Sequence, residues 1–407
     1  MSKNTPNNKT SLSCKKENAR KRKILKRRRL RRERIQLQQI RRNTKIAAFR
    51  ISTIKVEKHK ITSIEGLAIL VGTLVGAGVL GLPYAASKVG LIPALGILFG
   101  VMLLMLFTAL IVLKLSDEMG GAQISTIAHR SLGKAGGWIM YLSIMILGFG
   151  AFLAYIAGMG NIFTTLFGVN EVIGAIIFWI LASYVIYLGL EASGKTELIM
   201  GFVLIALFIG ITVMLLPHAR VENALYADFG GIFSMVGVVI FAFGFHTAIP
   251  DVYRGIGSYK KTKKIIVLAF LIPTVIYAVF MAVFLMTFGK NTPEVATQGL
   301  EDIYNGMGKI IGNALPLIAI TTSYIGLGLA QQSNSKEFLR LKKPTAWTLT
   351  VVPPICIYLA GVRNFADVLS FSGNTGSMMA FIILPILIWI IVYVVPKIRV
   401  KIKQSGF

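Results

Sequence analysis

Cysteine is nearly absent, with two in 407 residues. Cys14 sits in a basic segment and Cys356 in an apolar run, places not expected to meet, so no disulfide is expected. The common marks of catalysis are missing too: no HExxH helix, no Walker A loop and no nucleophile elbow. Neither enzymatic activity nor a resident metal or cofactor is therefore expected. No signal peptide is expected either, because the N-terminus stays basic for dozens of residues and lacks the short apolar core a signal needs. Acid is also scarce. Seventeen Asp and Glu face 44 Lys and Arg, giving a formal net charge of +27.

What the chain has in quantity is apolar sequence. Hydrophobic residues make up 55% of it, in runs that recur almost to the end. Such runs indicate an all-α integral membrane protein. We read about ten spans, near residues 63–88, 91–115, 137–165, 172–190, 197–216, 232–256, 264–288, 309–331, 345–361 and 368–395. This gives a basic cytoplasmic tail at 1–60, a transmembrane domain at 61–396 and a short basic cytoplasmic tail at 397–407.

The charge is placed unevenly. Residues 1–60 hold 22 of the 44 Lys and Arg, opposed only by Glu17, Glu33 and Glu57. With that tail inside, an even number of spans puts 17 further Lys and Arg on the inner side. Only five fall outside: Lys88, Arg220, Lys290, Lys309 and Arg363. The asymmetry follows the positive-inside rule and places both termini in the cytoplasm, with the protein in the plasma membrane. The densest run, "ARKRKILKRRRLRRER" (Ala19–Arg34), suits anionic lipid. Ile24, Leu25, Leu30, Ile35 and Leu37 form a weak apolar stripe that favours a membrane-surface helix. A regulatory or nucleic-acid partner is the other reading of such a run, although nucleic acid is not the expected partner.

The first span is weakened near its middle. "GTLVGAGVLGLP", residues 72–83, has four glycines in twelve residues and ends in proline. Before it, Thr62 and Glu65 have the spacing of a capping box, although Glu65 also suits a gate or a proton path. In a bilayer, unpaired backbone groups are costly unless protein, water or ligand meets them. A break there suggests exposed backbone being used. The N–H groups of the half-helix starting near Gly78 suit a carboxylate, and the carbonyls ending the first half suit an ammonium or a cation. The alternative is close helix packing, for which Gly72 and Gly76 have the small-xxx-small spacing. A second break weighs against that alternative. Span 6, "VVIFAFGFHTAIPDVYRGIG", has Gly244, then His246, then Pro250. Spans 1 and 6 each open a block of five, and paired interrupted helices in corresponding positions point to an inverted-repeat transporter with its site at the midplane.

"GTLVGAGVLGLPYAASKVG" resembles the first span of the amino-acid/polyamine/organocation superfamily. "FAFGFHTAIPDVYRGIG" resembles the sixth span of its hydroxy- and aromatic-amino-acid permeases and their amino-acid/auxin-permease relatives. "AITTSYIGLGLAQQ", Ala319–Gln332, resembles the eighth. The resemblance covers roughly residues 62–395. It implies a LeuT-like fold of five spans plus five inverted, with spans 1 and 6 discontinuous, and a secondary amino-acid permease working as a symporter by alternating access. Main chain at Thr73, Leu74, Val75, Gly76, Ala77 and Gly78 would bind the carboxylate and amino group of the substrate. Phe241, Phe243, Gly244, Phe245 and His246 would form the opposite wall. Tyr155 would be a lid, or simply packing. These residues are compatible with an aromatic or large neutral side chain without excluding a small one.

For the coupling ion two readings stand. In sodium-coupled members of this fold the ion is held by positions matching Gly72, Val75, Ala319, Thr322 and Ser323, a set of hard oxygens. Relatives thought to use protons keep a similar Thr-Ser pair. A hydroxyl in a membrane helix also often just bonds its own preceding turn. His246 is the one histidine placed within the membrane core, so it is a proton carrier or a neutral group that shapes the site. Asp251 and Arg254, at i,i+3 spacing, read as an ion pair at the inner end of span 6. An amino-acid sensor on the same fold, signalling through the basic tail, is the alternative function.

Overall fold

The computed structural model describes residues 61–189 and 194–395, with side chains left out over residues 194–198. The expected N-terminal tail, and the C-terminal tail from residue 397, lie outside the described residues. Those described form helices α1 (Ser63–Leu74), α2 (Leu82–Ser87), α3 (Leu91–Glu118), α4 (Ile124–Phe167), α5 (Glu171–Leu188), α6 (Gly194–Leu215) and α7 (Ile232–Ala242). There follow α8 (Ile249–Ile256), α9 (Tyr259–Phe288), α10 (Leu300–Leu339), α11 (Lys343–Leu359), α12 (Phe365–Ser372) and α13 (Leu384–Trp389). The stretches Gly373–Ile383 and Ile390–Val394 are wound as π-helix, continuous with α12 and α13.

Eight helical runs among the described residues are long and apolar enough to cross a membrane. They include Ser63–Ser87, which joins α1 to α2. The other two expected spans fall below single-helix length. One is divided into α7 and α8, and the other is α11, with 17 residues.

Local chemistry explains where α1 starts and stops. Thr62 accepts from the Glu65 N–H at 3.2 Å and the Glu65 carboxylate accepts from the Thr62 N–H at 2.7 Å, a complete capping box. The helix ends at Leu74, and Gly76 is extended, with φ −106° and ψ −154°. A short 3₁₀ stretch, Ala77–Gly81, leads into α2, whose first turn holds Pro83. The same grammar recurs at residues 242–250. α7 stops at Ala242, the chain turns through Phe243–Ala248, and α8 starts with Pro250 in its first turn.

Three helices begin well before the spans read from hydropathy. α4 begins at Ile124 rather than 137, bending at Gly133 with φ 79°. α9 begins at Tyr259 rather than 264. α10 runs from Leu300 rather than 309, bending at Asn305 with φ 50°, and continues to Leu339. Helical structure does not end where the apolar run does. The added first turns hold Ser125 and Thr126, Lys260 and Lys261, and Glu301 and Asp302, polar residues that hydropathy leaves outside a span.

Some glycines set how closely helices pass. At Gly373 a Cβ would overlap the Gly237 carbonyl oxygen of α7, and backbone cannot rotate aside. Gly373→Ala is expected to destabilise the fold by about 3 kcal/mol, the upper part of the overpacking range. A lowered melting temperature for the purified variant in detergent would show this.

A candidate substrate site between two broken helices

A cavity of about 270 Å³ lies where the two breaks face each other. Gly72, Thr73, Leu74 and Gly78 line one side, and Phe241, Ala242 and Gly244 the other. Leu147 and Tyr155 of α4, Met200, Gly201 and Leu204 of α6, and Thr321, Thr322, Ser323 and Leu329 of α10 contribute to its walls. The two breaks touch at Gly78, where an added Cβ would come within 3.1 Å of Ala242 Cα and 3.2 Å of Phe241 Cδ1. From the breaks, the lining runs towards Ile69, Met200 and Leu329, the half holding the starts of α1 and α6 and the end of α10. At the opposite end Val295, Ala296 and Thr297 are buried, and Gln298 bridges Asn161 at 2.7 Å and Asn313 at 3.2 Å.

The break carries two poles. At the N–H pole, Ala77 donates to Ser323 Oγ at 3.2 Å, and Tyr155 and Ser323 both line the cavity beside it. At the carbonyl pole, the Tyr277 hydroxyl of α9 donates to Leu74 O and lies 3.3 Å from Ala242 O. Such an arrangement can receive an anionic group in exchange for the Ser323 hydroxyl, against largely apolar walls.

The Tryptophan/tyrosine permease family model matches residues 59–403, a range that contains all of the described residues. The chain belongs to that family. Among curated relatives, Tyrosine-specific transport system 2 of Haemophilus influenzae is 28% identical, covering 79% of this chain and 86% of that protein. Tyrosine-specific transport system 1 of the same organism is 25% identical over the same shares. Glutamine transporter 2 of Aliivibrio fischeri is 22% identical, over 75% and 83%. A crystal structure of MhsT in complex with L-phenylalanine aligns with a TM-score of 0.62 at 14% identity, covering 82% of this chain and 90% of that one. That likeness shows the fold, which is LeuT-like. The chain is thus an amino-acid permease, a multi-pass membrane protein and not an enzyme.

Within this permease the residues singled out from sequence separate into two groups. Thr73, Leu74, Gly78, Tyr155, Phe241 and Gly244 line the cavity. Val75, Gly76 and Ala77 are buried behind it, and the tie of Ala77 to Ser323 joins the break to α10. Phe243, Phe245 and His246 do not reach the cavity. The turn after Ala242 sends Phe243 against Phe270 and Tyr277, with ring centroids 5.7 and 5.4 Å away, and Phe245 against Phe270 at 4.8 Å. His246 is fully buried and stacked on Phe381 at 4.6 Å, and its Nε2 lies 2.9 Å from Thr108 Oγ1. That hydroxyl also reaches the Met105 carbonyl at 3.0 Å. With its single proton there, Nε2–H is the donor to Thr108, and the buried Nδ1 has no hydrogen-bond partner.

Of the ion-site positions, Gly72, Thr322 and Ser323 line the cavity, whereas Val75 and Ala319 are buried without lining it. Thr322 donates back to Ile318 O at 3.0 Å, with Ala319 O at 3.2 Å. The packing alternative for the glycine pair divides. Nothing lies within 4 Å of a Cβ at Gly72, which borders open space, while a Cβ at Gly76 would overlap Ser323 Oγ.

Sequence reasoning missed the α6 wall, Leu147 and Tyr277. α6 is apolar all round and shows no stripe to mark an inner face. Tyr277 did leave a signal, a phenol in the apolar stretch "TVIYAVF". A buried tyrosine hydroxyl usually has a partner.

Towards the α10 end, the expected pairing of Asp251 with Arg254 is present within a larger network. Gln123 donates to both Asp251 carboxylate oxygens, at 2.9 and 3.0 Å. Thr126 donates to Glu337 at 2.6 Å, and Arg254 lies 3.8 Å from Glu337. The starts of α4 and the ends of α8 and α10 are thereby joined.

Proposed function

We propose that this permease carries an amino acid with an aromatic or large neutral side chain across the plasma membrane by alternating access, as a symporter. The observation that carries the reading is the Ala77 N–H held by a cavity-wall hydroxyl, Ser323, at a helix break. A carboxylate accepts from such an N–H more strongly than a hydroxyl does, so substrate displaces Ser323 and takes the pole. Leu147, Leu204 and Phe241 offer the side chain an apolar wall, and relatives named for tyrosine and tryptophan agree with that choice.

With both termini cytoplasmic, the cavity extends inwards, and this conformation is the inward-facing one. The basic tail then lies at the inner leaflet, where anionic lipid attracts it. The coupling ion in this reading is sodium. Thr322 spends its proton on its own helix and keeps its lone pairs for a cation, whereas His246 is sealed from the cavity.

Purified protein in liposomes, given twenty labelled amino acids under separate sodium and proton gradients, tests this. Accumulation of tyrosine, tryptophan or phenylalanine is expected, with the amide analogue of the best substrate at least about tenfold weaker for want of the charged hydrogen bond. Binding without accumulation would favour a sensor.

A further inference from the structure

We propose that Tyr277 is a positioning residue that ties the two broken helices together, its hydroxyl standing where the carbonyl ends of both half-helices converge. This deepens the transport reading and rests on it for the functional consequence.

α1 ends at Leu74 and α7 at Ala242. The last carbonyls of a helix lack intrahelical partners and carry its partial negative charge. Neither Leu74 O nor Ala242 O receives an N–H among the described turn and loop bonds. Both face one phenol proton, from a side chain on α9 that is fully buried and does not line the cavity. The Tyr277 ring packs on Phe243, inside the second break.

Two carbonyls pointing at one another would repel, or would draw a cation between them. The phenol meets both with a partial positive charge and brings no ion to desolvate. The poles therefore differ in kind. The N–H pole is covered by a serine at the cavity wall, which substrate can displace. The carbonyl pole is covered by a tyrosine that substrate cannot reach. On this proposal Leu74 O is taken by the Tyr277 hydroxyl and not by a substrate ammonium. The hydroxyl also links the two breaks, so that a shift in one is felt by the other.

The test uses the full chain in liposomes and two variants at position 277. Tyr277→Phe keeps the ring and removes the donor. Tyr277→para-aminophenylalanine, placed by an expanded genetic code, restores an N–H at the same distance from the ring. Uptake kinetics and amide hydrogen exchange are read on both. Tyr277→Phe is expected to lower the maximal uptake rate about tenfold or more. It should also speed exchange together at residues 74–79 and 242–248, with α5 and α11 unchanged. The amino variant should restore at least half of the rate and protect both stretches. If the phenylalanine variant fails to fold while the amino variant folds, the donor is required and the proposal stands. Three results would overturn it: wild-type exchange in Tyr277→Phe, faster exchange in one stretch alone, or a loss that the amine does not restore. If the wild-type protein accumulates no amino acid, the transport reading fails, and the exchange data still decide whether the hydroxyl links the breaks.

Discussion

Replacing Gly76 with alanine is expected to abolish substrate binding, a loss of at least about a hundredfold, in line with the cost of overpacking a tight site. A Cβ at Gly76 would overlap Ser323 Oγ, the atom that receives the Ala77 N–H. Ser323 must then swing away, and the new methyl stands beside the N–H that a carboxylate needs. Alanine also favours continuous helix over glycine by about 1 kcal/mol, which works against the break. A second change separates crowding from chemistry. Removing the hydroxyl with Ser323→Ala leaves the added Cβ of Gly76→Ala facing Ser323 Cβ at 3.3 Å and Thr73 O at 3.4 Å, which small shifts absorb. The double variant should therefore recover the melting temperature lost by Gly76→Ala and still not recover binding. Equilibrium binding and thermal melting on purified protein measure both. Normal binding by Gly76→Ala would show that the break serves packing alone. Gly78 is a poorer probe, because any side chain there meets Ala242 and Phe241 of α7, so its loss would report on the contact between breaks.

The sequence carried the architecture well and the cavity only in part, for a physical reason. Glycine and proline punctuate backbone, so the breaks at Gly76 and Gly244, the prolines opening α2 and α8, and the capping box at Thr62 were all readable in one dimension. Direction within a break was not. Helical periodicity assigns a face only while the helix continues, and between Ala242 and Ile249 it stops. Phe243, Phe245 and His246 could therefore be placed at the site but not aimed at it, and they point into the packing around Phe270 and Phe381. Membrane helices add a second difficulty. Where lipid and protein interior are equally apolar, a wall such as Met200, Gly201 and Leu204 carries no compositional contrast. Its membership follows only from the packing of α6 beside α1. Thr322 and Ser323 show a third case, in which identical chemistry at adjacent positions is used differently: one hydroxyl closes on its own helix, the other bridges to Ala77.

That division of labour gives the last prediction, which concerns coupling. Thr322→Ala should abolish the sodium-driven part of uptake, a loss of about a hundredfold, while exchange of labelled for unlabelled substrate without a gradient persists. The hydroxyl donates to Ile318 O, which leaves its lone pairs as acceptors, and Thr322 and Gly72 both line the cavity, so the sodium reading gives them a shared hard cation. Thr322→Ser keeps the oxygen and should restore at least half of the sodium response; a purely packing role for the methyl would not allow this. Ser323 is unsuitable for the same experiment, since its loss would also disturb the N–H pole. His246→Gln serves as the control. It should lower the melting temperature, because it removes a buried stack on Phe381 and disturbs the bond to Thr108, yet leave the response to each gradient unchanged. Uptake by reconstituted protein, with the two gradients imposed separately, reads all three variants. Proton-driven uptake in the wild type that disappears in His246→Gln while Thr322→Ala behaves normally would reverse the assignment. It would require a route for protons to a ring that is now sealed behind Gly244.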